Sequence, residues 1–150
     1  MNPLDRPLLI DLVAAVEQGD EDHARQLLAL GVRPDVIEST SGWSALHASI
    51  LHAPSLLPLL LAHSAEPDGP QVLGGTPLSY VVHELGERPD APRRQQLFEA
   101  MDLLLAAGAD PMCGGSNQSA LELSRLYRMP DVEAWLLKNS RAGRTPPPGH

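Results

Sequence analysis

The histidines of this chain are the residues best suited to metal or acid–base chemistry. His47 and His52 are five positions apart, so on a helix they point to different faces. Zinc sites use closer pairs, such as His-x-x-x-His or Cys-x-x-Cys, and neither spacing occurs in the sequence. We therefore expect no metal site. The remaining histidines lie in separate segments: His23, His63, His83 and His150.

The side chains that could act as nucleophiles show no catalytic arrangement. No Gly-x-Ser-x-Gly turn is present, and Gly74-Gly75 is not followed by the Gly-Lys-Ser/Thr of a phosphate-binding loop. The single cysteine, Cys113, has no Lys or Arg nearby in the sequence to activate it. One cysteine also excludes an internal disulfide and is typical of a reducing compartment. The sequence thus predicts no catalytic residue, no cofactor and no enzyme activity.

The 150-residue chain is acidic, with 19 Asp and Glu against 11 Lys and Arg and a net charge of −8. Phosphate backbones repel such a surface, so we expect no nucleic-acid partner. Residues 1–7 do not open a signal peptide, and the longest apolar stretch, residues 56–62, is too short to span a membrane. We expect a cytoplasmic protein that is monomeric when free. Lysine is nearly absent while Arg, Ala, Leu and Pro are plentiful, which favours a bacterial source.

The helical segments that would position a functional site recur along the chain. Leucines at Leu12, Leu46, Leu78 and Leu121 each open a similar helical pattern, with spacings of 34, 32 and 43 residues. A period of roughly 33 is typical of stacked helical repeats, and the last spacing adds an insertion of about ten residues. One such unit cannot bury its own apolar face, so neighbouring units must shield one another. Because aromatic residues make up only 3% of the chain, the core must consist of Leu, Ala, Val and Ile.

Three segments carry a specific resemblance. Residues 42–50 read Gly-Trp-Ser-Ala-Leu-His-Ala-Ser-Ile, residues 76–78 read Thr-Pro-Leu, and residues 103–111 read Leu-Leu-Leu-Ala-Ala-Gly-Ala-Asp-Pro. They resemble the ankyrin repeat, whose pattern is Gly-x-Thr-Pro-Leu-His and then a Leu-rich helix ending in Gly-Ala-Asp. The resemblance implies an all-α, ankyrin-type helical-repeat solenoid of about four repeats in residues 1–140. It also implies that His47 ties neighbouring finger loops together. Residues 141–150, rich in proline, are predicted to be a disordered tail.

Two repeats depart from the ankyrin pattern. The second repeat carries Pro58 in its second helix, which is acceptable near a helix start if Ser55 is the N-cap, and we expect this repeat to be the least stable. The third repeat carries the insertion, about residues 86–96. Asp90 can cap a helix with Pro92 in its first turn. The insertion should therefore lengthen the second helix of this repeat, which would run to Ala107.

The resemblance also implies a binding surface made of the finger connections and the exposed faces of the first helices. Trp43 is predicted to contact a partner, with packing onto the next finger as the alternative, whereas Trp135 should close the C-terminal end of the core. The acidic fingers predict an edge that attracts a protein with a basic patch. The predicted partner-contact residues are Trp43, Glu38, Asp68, His52, Tyr80, Glu84 and Tyr127.

The function that follows is a non-catalytic, protein-binding ankyrin module. On the resemblance, we expect a bacterial stoichiometric binder or inhibitor of a protein partner, such as an immunity protein against a toxin. The alternative is an effector delivered into a host cell, where it binds a eukaryotic protein. The fold does not distinguish these roles, because function depends on the side chains presented at the binding surface.

Overall fold

The computed structural model describes residues 5–38, 42–63, 66–68, 75–113 and 118–139. Within these ranges the chain is helical and forms no strand; isolated bridge residues occur at Glu38, Trp43 and Gly75, and the first two pair with each other in antiparallel fashion. The all-α prediction is confirmed for this part of the chain, while the predicted tail at residues 141–150 lies outside it. The helices are α1 (Asp5–Glu17), α2 (Glu21–Ala29), α3 (Ala45–His52), a 3-10 helix (Pro54–Leu56), α4 (Leu57–Ala62), α5 (Pro77–Gly86), α6 (Ala91–Ala106), α7 (Ala120–Leu126) and α8 (Pro130–Asn139).

Short polar side chains fix where several helices begin. Ser44, Thr76 and Ser119 stand before α3, α5 and α7, and each accepts a hydrogen bond from the backbone N–H three residues later. Such N-caps satisfy backbone donors that have no partner inside the helix. Gly31 ends the first helix pair with a φ of +94°, a left-handed conformation that glycine adopts without strain. The first helices therefore start at equivalent positions in successive units.

The helices form two layers. In the first layer, α1, α3, α5 and α7 contact one another in chain order, and each packs against the helix that follows it. On the other side of the stack, α4 contacts α6. The buried core is continuous and almost entirely aliphatic. Leu12, Ala15 and Leu28 of the first helix pair are all buried in it, as expected for an N-terminal unit that covers the next one.

The insertion lengthens α6, as predicted. This helix has 16 residues, against 9 in α2 and 10 in α8. Asp90 is its N-cap, accepting from the N–H of Arg93, and Pro92 lies in the first turn. Arg94 reaches across to Asp131 of α8, with Nη2 3.0 Å from the carboxylate oxygen. The added turns are therefore held against the last helix pair.

Two sequence predictions are wrong. Ser55 is not an N-cap: it lies inside the 3-10 helix, and α4 starts at Leu57 without a side-chain cap. Pro58 still falls in the first turn of α4, where its missing N–H costs nothing, and the helix has only six residues.

Trp135 does not close the core, because 39% of it is exposed and its indole N–H donates to Asp102 at 2.6 Å. The buried residues of α8 are instead Val132 and Leu136.

Candidate protein-binding surface

Most of the aromatic residues of the chain lie close to the ends of α3, α5 and α7. Tyr80 lies in the first turn of α5, Trp43 immediately before the cap of α3, and Tyr127 immediately after α7. These are three of the five Trp, Tyr and Phe residues in the sequence. All three are half-buried, so each ring packs against the stack and also reaches the surface. We call Trp43, Tyr80, Glu84 and Tyr127 the aromatic surface.

Trp43 and Tyr80 form an edge-to-face pair between two successive repeats. Their ring centroids are 5.8 Å apart and their planes are nearly perpendicular, at 85°. The imidazole of His47 completes the cluster, 6.4 Å from Trp43 and 5.8 Å from Tyr80. Such aromatic pairs stabilise a fold beyond the area that they bury. Trp43 therefore packs onto the next repeat, which was the alternative reading of this residue, and contact with a partner stays a prediction.

His47 is fully buried beneath this cluster. Its Nε2 donates to the carbonyl oxygen of Gly75 at 3.1 Å, and its Nδ1 accepts from the Ser44 hydroxyl at 2.8 Å. Burial lowers the pKa of His47 to about 4, because the charged imidazolium would lose its hydration, although bonds to the backbone of Gly75 and Thr76 oppose the shift. The neutral ring thus joins α3 to the segment before α5. The structural role implied by the ankyrin resemblance is confirmed.

Glu84 follows Tyr80 one turn later on α5 and is half-buried. The pKa of Tyr80 is raised to about 12, mainly by burial and then by the charge of Glu84 and a hydrogen bond with it. Arg93 of α6 acts in the opposite direction but more weakly. The phenol therefore stays protonated and can donate to the carboxylate.

Tyr127 packs against the end of α5. Its hydroxyl lies 2.8 Å from Nδ1 of His83, and a Cβ added to Gly86 would lie only 2.6 Å from the Tyr127 ring. Only glycine permits this close approach, since real Cβ atoms do not come so near another heavy atom. Sequence analysis missed both His83 and Gly86. Gly86 could have been suspected, because a glycine inside a helix is costly unless packing requires it.

The finger aspartates mainly connect repeats. Asp35 accepts the backbone N–H of Glu66, and Asp68 accepts that of Asp110, both at 2.9 Å. Asp35 also binds Arg33 through two nitrogens at 3.0 Å. Although burial alone would raise it, the pKa of Asp35 is lowered by its hydrogen bonds from Arg33 and Glu66. These carboxylates act as structural clamps between successive fingers.

The predicted acidic edge is therefore partly wrong. Glu38 is only 2% exposed, and its backbone N–H donates to Trp43 O at 2.8 Å. Asp68 is half-buried and occupied by its bond to the next finger. His52 is exposed at the end of α3, as predicted.

Across the described ranges, no group of three or more His, Cys, Asp or Glu side chains is placed to hold a metal ion. In the same ranges, no helix is long and apolar enough to cross a membrane.

An apolar hollow lies at the N-terminal end of the stack, between α1 and the first finger, away from the aromatic surface. It is lined by Leu8, Leu9, Leu30, Gly31, Val32, Arg33 and Val36.

Comparisons with known proteins give partial similarity. No family model matches the chain. The 2-5A-dependent ribonuclease of Mus musculus is 36% identical over 67 residues, which are 44% of this chain and 9% of that protein. The palmitoyltransferase Hip14 of Drosophila melanogaster is 39% identical over 67 residues, which are 43% of this chain and 10% of that protein. Both relatives are ankyrin-repeat proteins, and this chain spans about a tenth of their length. The similarity agrees with the ankyrin resemblance over less than half of the chain.

Proposed function

We propose that this chain is a non-catalytic, protein-binding ankyrin module of about four repeats, and that its partner binds along the exposed side of α3, α5 and α7. The observation that carries the proposal is the aromatic surface on these helices. Tyrosine and tryptophan are enriched at the centres of protein interfaces, where they supply large contact areas with little loss of conformational freedom. Here they are held by contacts with neighbouring repeats, so a partner would meet a preorganised surface.

The repeated packing supports the same function. The helices α3, α5 and α7 each begin at a side-chain cap and contact the neighbouring first-layer helix, so successive repeats are packed in a fixed order. Stacked repeats present extended binding surfaces in this way. The partial similarity to two ankyrin-repeat proteins favours a binding module as well. Their enzyme names give no reason to assign catalysis to the short segment that this chain shares with them.

The narrower proposal is that the chain is a stoichiometric binder or inhibitor, such as a bacterial immunity protein that neutralises a toxin in the cytoplasm. The small acidic chain, with a net charge of −8, favours a partner with a basic patch and a free protein that stays monomeric. The ankyrin resemblance supports the inhibitor role only as one of the known uses of the family.

Site-specific photocrosslinking in cells tests the binding surface. A photoreactive phenylalanine analogue would replace His52, exposed on α3, or Glu84 on α5, and the matched control would carry it at Gln96, exposed on α6. We expect both surface positions to yield the same one-to-one adduct, identified by mass spectrometry, and the α6 position to yield none. Adduct formation from α6 alone, or different proteins at His52 and Glu84, would overturn the proposed surface.

Titration of the captured partner tests the inhibitor role. The partner would be purified and its toxicity or enzymatic activity measured with increasing amounts of this chain. We expect activity to reach its minimum at one equivalent, because a stoichiometric inhibitor covers one site per molecule. A tight complex that leaves the partner fully active would support the binding module and reject the immunity role.

A further inference from the structure

One repeated hydrogen bond joins the fingers, which are the connections from α2 to α3, from α4 to α5 and from α6 to α7. Asp35 of the first finger accepts the backbone N–H of Glu66 in the second at 2.9 Å. Asp68 of the second finger accepts the N–H of Asp110 in the third at 2.9 Å. Each donor stands immediately before the proline of its finger, and Arg33 holds this place in the first finger. Arg33 therefore has the N–H to which a carboxylate on the N-terminal side would bond.

The first and third fingers have the same hydrogen-bonded backbone. Each donates one bond back to the preceding helix and accepts one from the following helix, at distances between 3.0 and 3.3 Å. These bonds are Val32 N to Leu27 O and Leu46 N to Pro34 O in the first finger, and Ala109 N to Leu104 O and Leu121 N to Pro111 O in the third. The N–H of Arg33 is thus turned toward the N-terminal end of the stack, as that of Asp110 is turned toward the second finger. Within the described part of the chain, no acceptor bonds to the Arg33 N–H.

The apolar hollow between α1 and the first finger lies at the same place, and Arg33 is part of its wall. Leu30, which also lines it, is the most exposed large apolar side chain among the described residues, at 71%. Val32 is half-buried, whereas its counterpart in the third finger, Ala109, is only 4% exposed. The outermost repeat of a stack usually has a polar outer face, and exposed apolar patches mark contact surfaces. The first repeat thus presents the apolar side chains of a position meant to be covered.

The charge at Arg33 differs from that at the internal bonds. The internal donor residues, Glu66 and Asp110, are acidic and repel an incoming carboxylate. Arg33 is basic, and its side chain is 56% exposed. It bonds to Asp35 through Nε and Nη2, and no described residue accepts from its Nη1. Although Asp35 offsets part of the charge, the end of the stack suits a carboxylate better than the two internal positions that already bind one.

We propose that the N-terminal end of the stack binds a segment of a partner protein that carries a carboxylate beside an aliphatic side chain. The carboxylate accepts from the backbone N–H of Arg33, and the aliphatic side chain enters the hollow beside Leu30. The last finger of a second copy cannot supply this carboxylate, because Met112 stands where the earlier fingers have aspartate. This end is separate from the aromatic surface, so the inference goes beyond the proposed function and does not depend on it.

A peptide titration tests this inference without the natural partner. The ligand is acetyl-Pro-Asp-Val-Ile-amide, which copies residues 34–37, the segment that carries the carboxylate of the first internal bond. It is added to the isotopically labelled full chain and followed by nuclear magnetic resonance. Matched peptides carry alanine in place of aspartate, or serine in place of both aliphatic residues. We expect a saturable downfield shift of the Arg33 amide proton together with shifts of the Leu8 and Val32 methyl groups. The alanine peptide should leave the Arg33 amide unmoved, and the serine peptide should bind more weakly.

Two variants give the matched comparison. Leu30 is the C-cap of α2, and Ala107 is the C-cap of α6, at the equivalent exposed position of the third repeat. Leu30→Glu removes apolar surface at the hollow and places a negative charge there, whereas Ala107→Glu adds the same charge elsewhere. We expect Leu30→Glu to weaken peptide binding by about fivefold, the scale of one like-charge contact near a protein surface, and Ala107→Glu to leave it nearly unchanged. Both variants should melt at the same temperature, because both positions are exposed.

Three outcomes of the titration would overturn the proposed end site: no saturable shift at Arg33, equal binding of the alanine peptide, or equal losses in the two variants. Two further measurements separate other occupants of the hollow. A dimer of the parent that Leu30→Glu dissociates, measured by light scattering, would assign the hollow to a second copy. Nuclear Overhauser contacts from residues 1–4 or 141–150 to Leu30 in the free protein would assign it to the chain itself. Either result would reject a partner at this end and leave the photocrosslinking test of the aromatic surface unaffected.

Discussion

At the scale of single residues, the aromatic surface has both structural and exposed components. His47 lies beneath it without charge, bonded to Ser44 on one side and to the carbonyl of Gly75 on the other. Trp43 and Tyr80 cover this imidazole while part of each ring reaches solvent. A substitution in this cluster therefore affects the junction between two repeats as well as any binding. Stability and affinity must be measured on the same variant.

The buried His47 makes folding stability depend on pH. The folded pKa of about 4 lies below the ordinary value of 6.5, so between these pH values the unfolded chain takes up a proton that the folded chain excludes. Stability from this group is complete above pH 6.5 and falls as the pH drops toward 4, by about 3 kcal/mol at about 1.4 kcal/mol per pKa unit. Urea unfolding of the parent and of His47→Gln across this range should show a shallower pH slope for the variant. His52→Gln, at an exposed position, is the control and should keep the parent slope; identical slopes in all three proteins would contradict the assignment.

Trp43→Ala should weaken the stack as well as binding. The substitution removes the edge-to-face pair with Tyr80 and uncovers His47, so we expect a loss of about 1–2 kcal/mol, less than for a fully buried tryptophan. Thermal unfolding measures this loss, and affinity for the captured partner is measured well below the melting temperature. If the folded variant binds its partner as tightly as the parent, Trp43 is structural only.

Gly86 and Tyr127 can be tested as a pair. Gly86→Ala should lose about 1–3 kcal/mol of stability, because the new Cβ collides with the Tyr127 ring and the helix end must shift. In a Tyr127→Ala background the same change should be neutral or stabilise by up to about 1 kcal/mol, since alanine favours helix more than glycine does. A double-mutant cycle from urea unfolding gives the coupling directly. Equal effects of Gly86→Ala in both backgrounds would exclude the predicted collision.

At the scale of elements, α6 differs most from its counterparts. Its added N-terminal turns start at the Asp90 cap and are held to α8 by the Arg94–Asp131 bond. They also bring Arg93 near Tyr80, so the insertion contributes to the electrostatic surroundings of the aromatic surface. The short α4 in the preceding repeat contacts α6. The long helix thus packs beside the shortest one.

The cap of α6 should control the order of the insertion. Asp90→Ala is expected to lower stability by about 1 kcal/mol, while Asp90→Asn keeps most of it because an amide oxygen can also accept from the N–H of Arg93. Hydrogen exchange should show faster amide exchange in residues 93–96 of the alanine variant, with α1 and α2 unchanged. Loss of protection throughout the chain would mean that the cap is not a local feature.

At the scale of the whole molecule, the N-terminal unit covers the end of a continuous core. Deleting residues 1–31 removes Leu12, Ala15 and Leu28 and exposes the apolar side of α3, so we expect aggregation or unfolding. Size-exclusion chromatography with light scattering and a thermal melt measure the result. A truncated chain that remains monomeric and melts at the parent temperature would contradict this role.

Local sequence signals predicted much of this architecture. Asp90 with Pro92 indicated the start of the long helix, and the leucine repeats indicated the buried core. Contacts between distant segments were harder to foresee. Trp135 has a buried pattern of neighbours, yet it lies outside because Asp102, 33 residues earlier, accepts its indole N–H. Glu38 has the sequence position of an exposed finger acid, but it is buried, and its backbone pairs with that of Trp43. The spacing of residues in the sequence does not predict such contacts between distant positions.

The clamps between fingers have a consequence for how this protein could change in evolution or design. Asp35 and Asp68 each accept a hydrogen bond from a backbone N–H of the following finger. Nearly every residue has this N–H, so the bonds do not depend on which side chain stands at the donor position. Met112 follows Asp110-Pro111 where the earlier fingers have aspartate after proline. The last helix pair is instead fastened by particular partners, such as Arg94 with Asp131. The residues that follow each aspartate could therefore change without loss of these two bonds, whereas the contact of the last helix pair with α6 depends on the identity of both of its side chains.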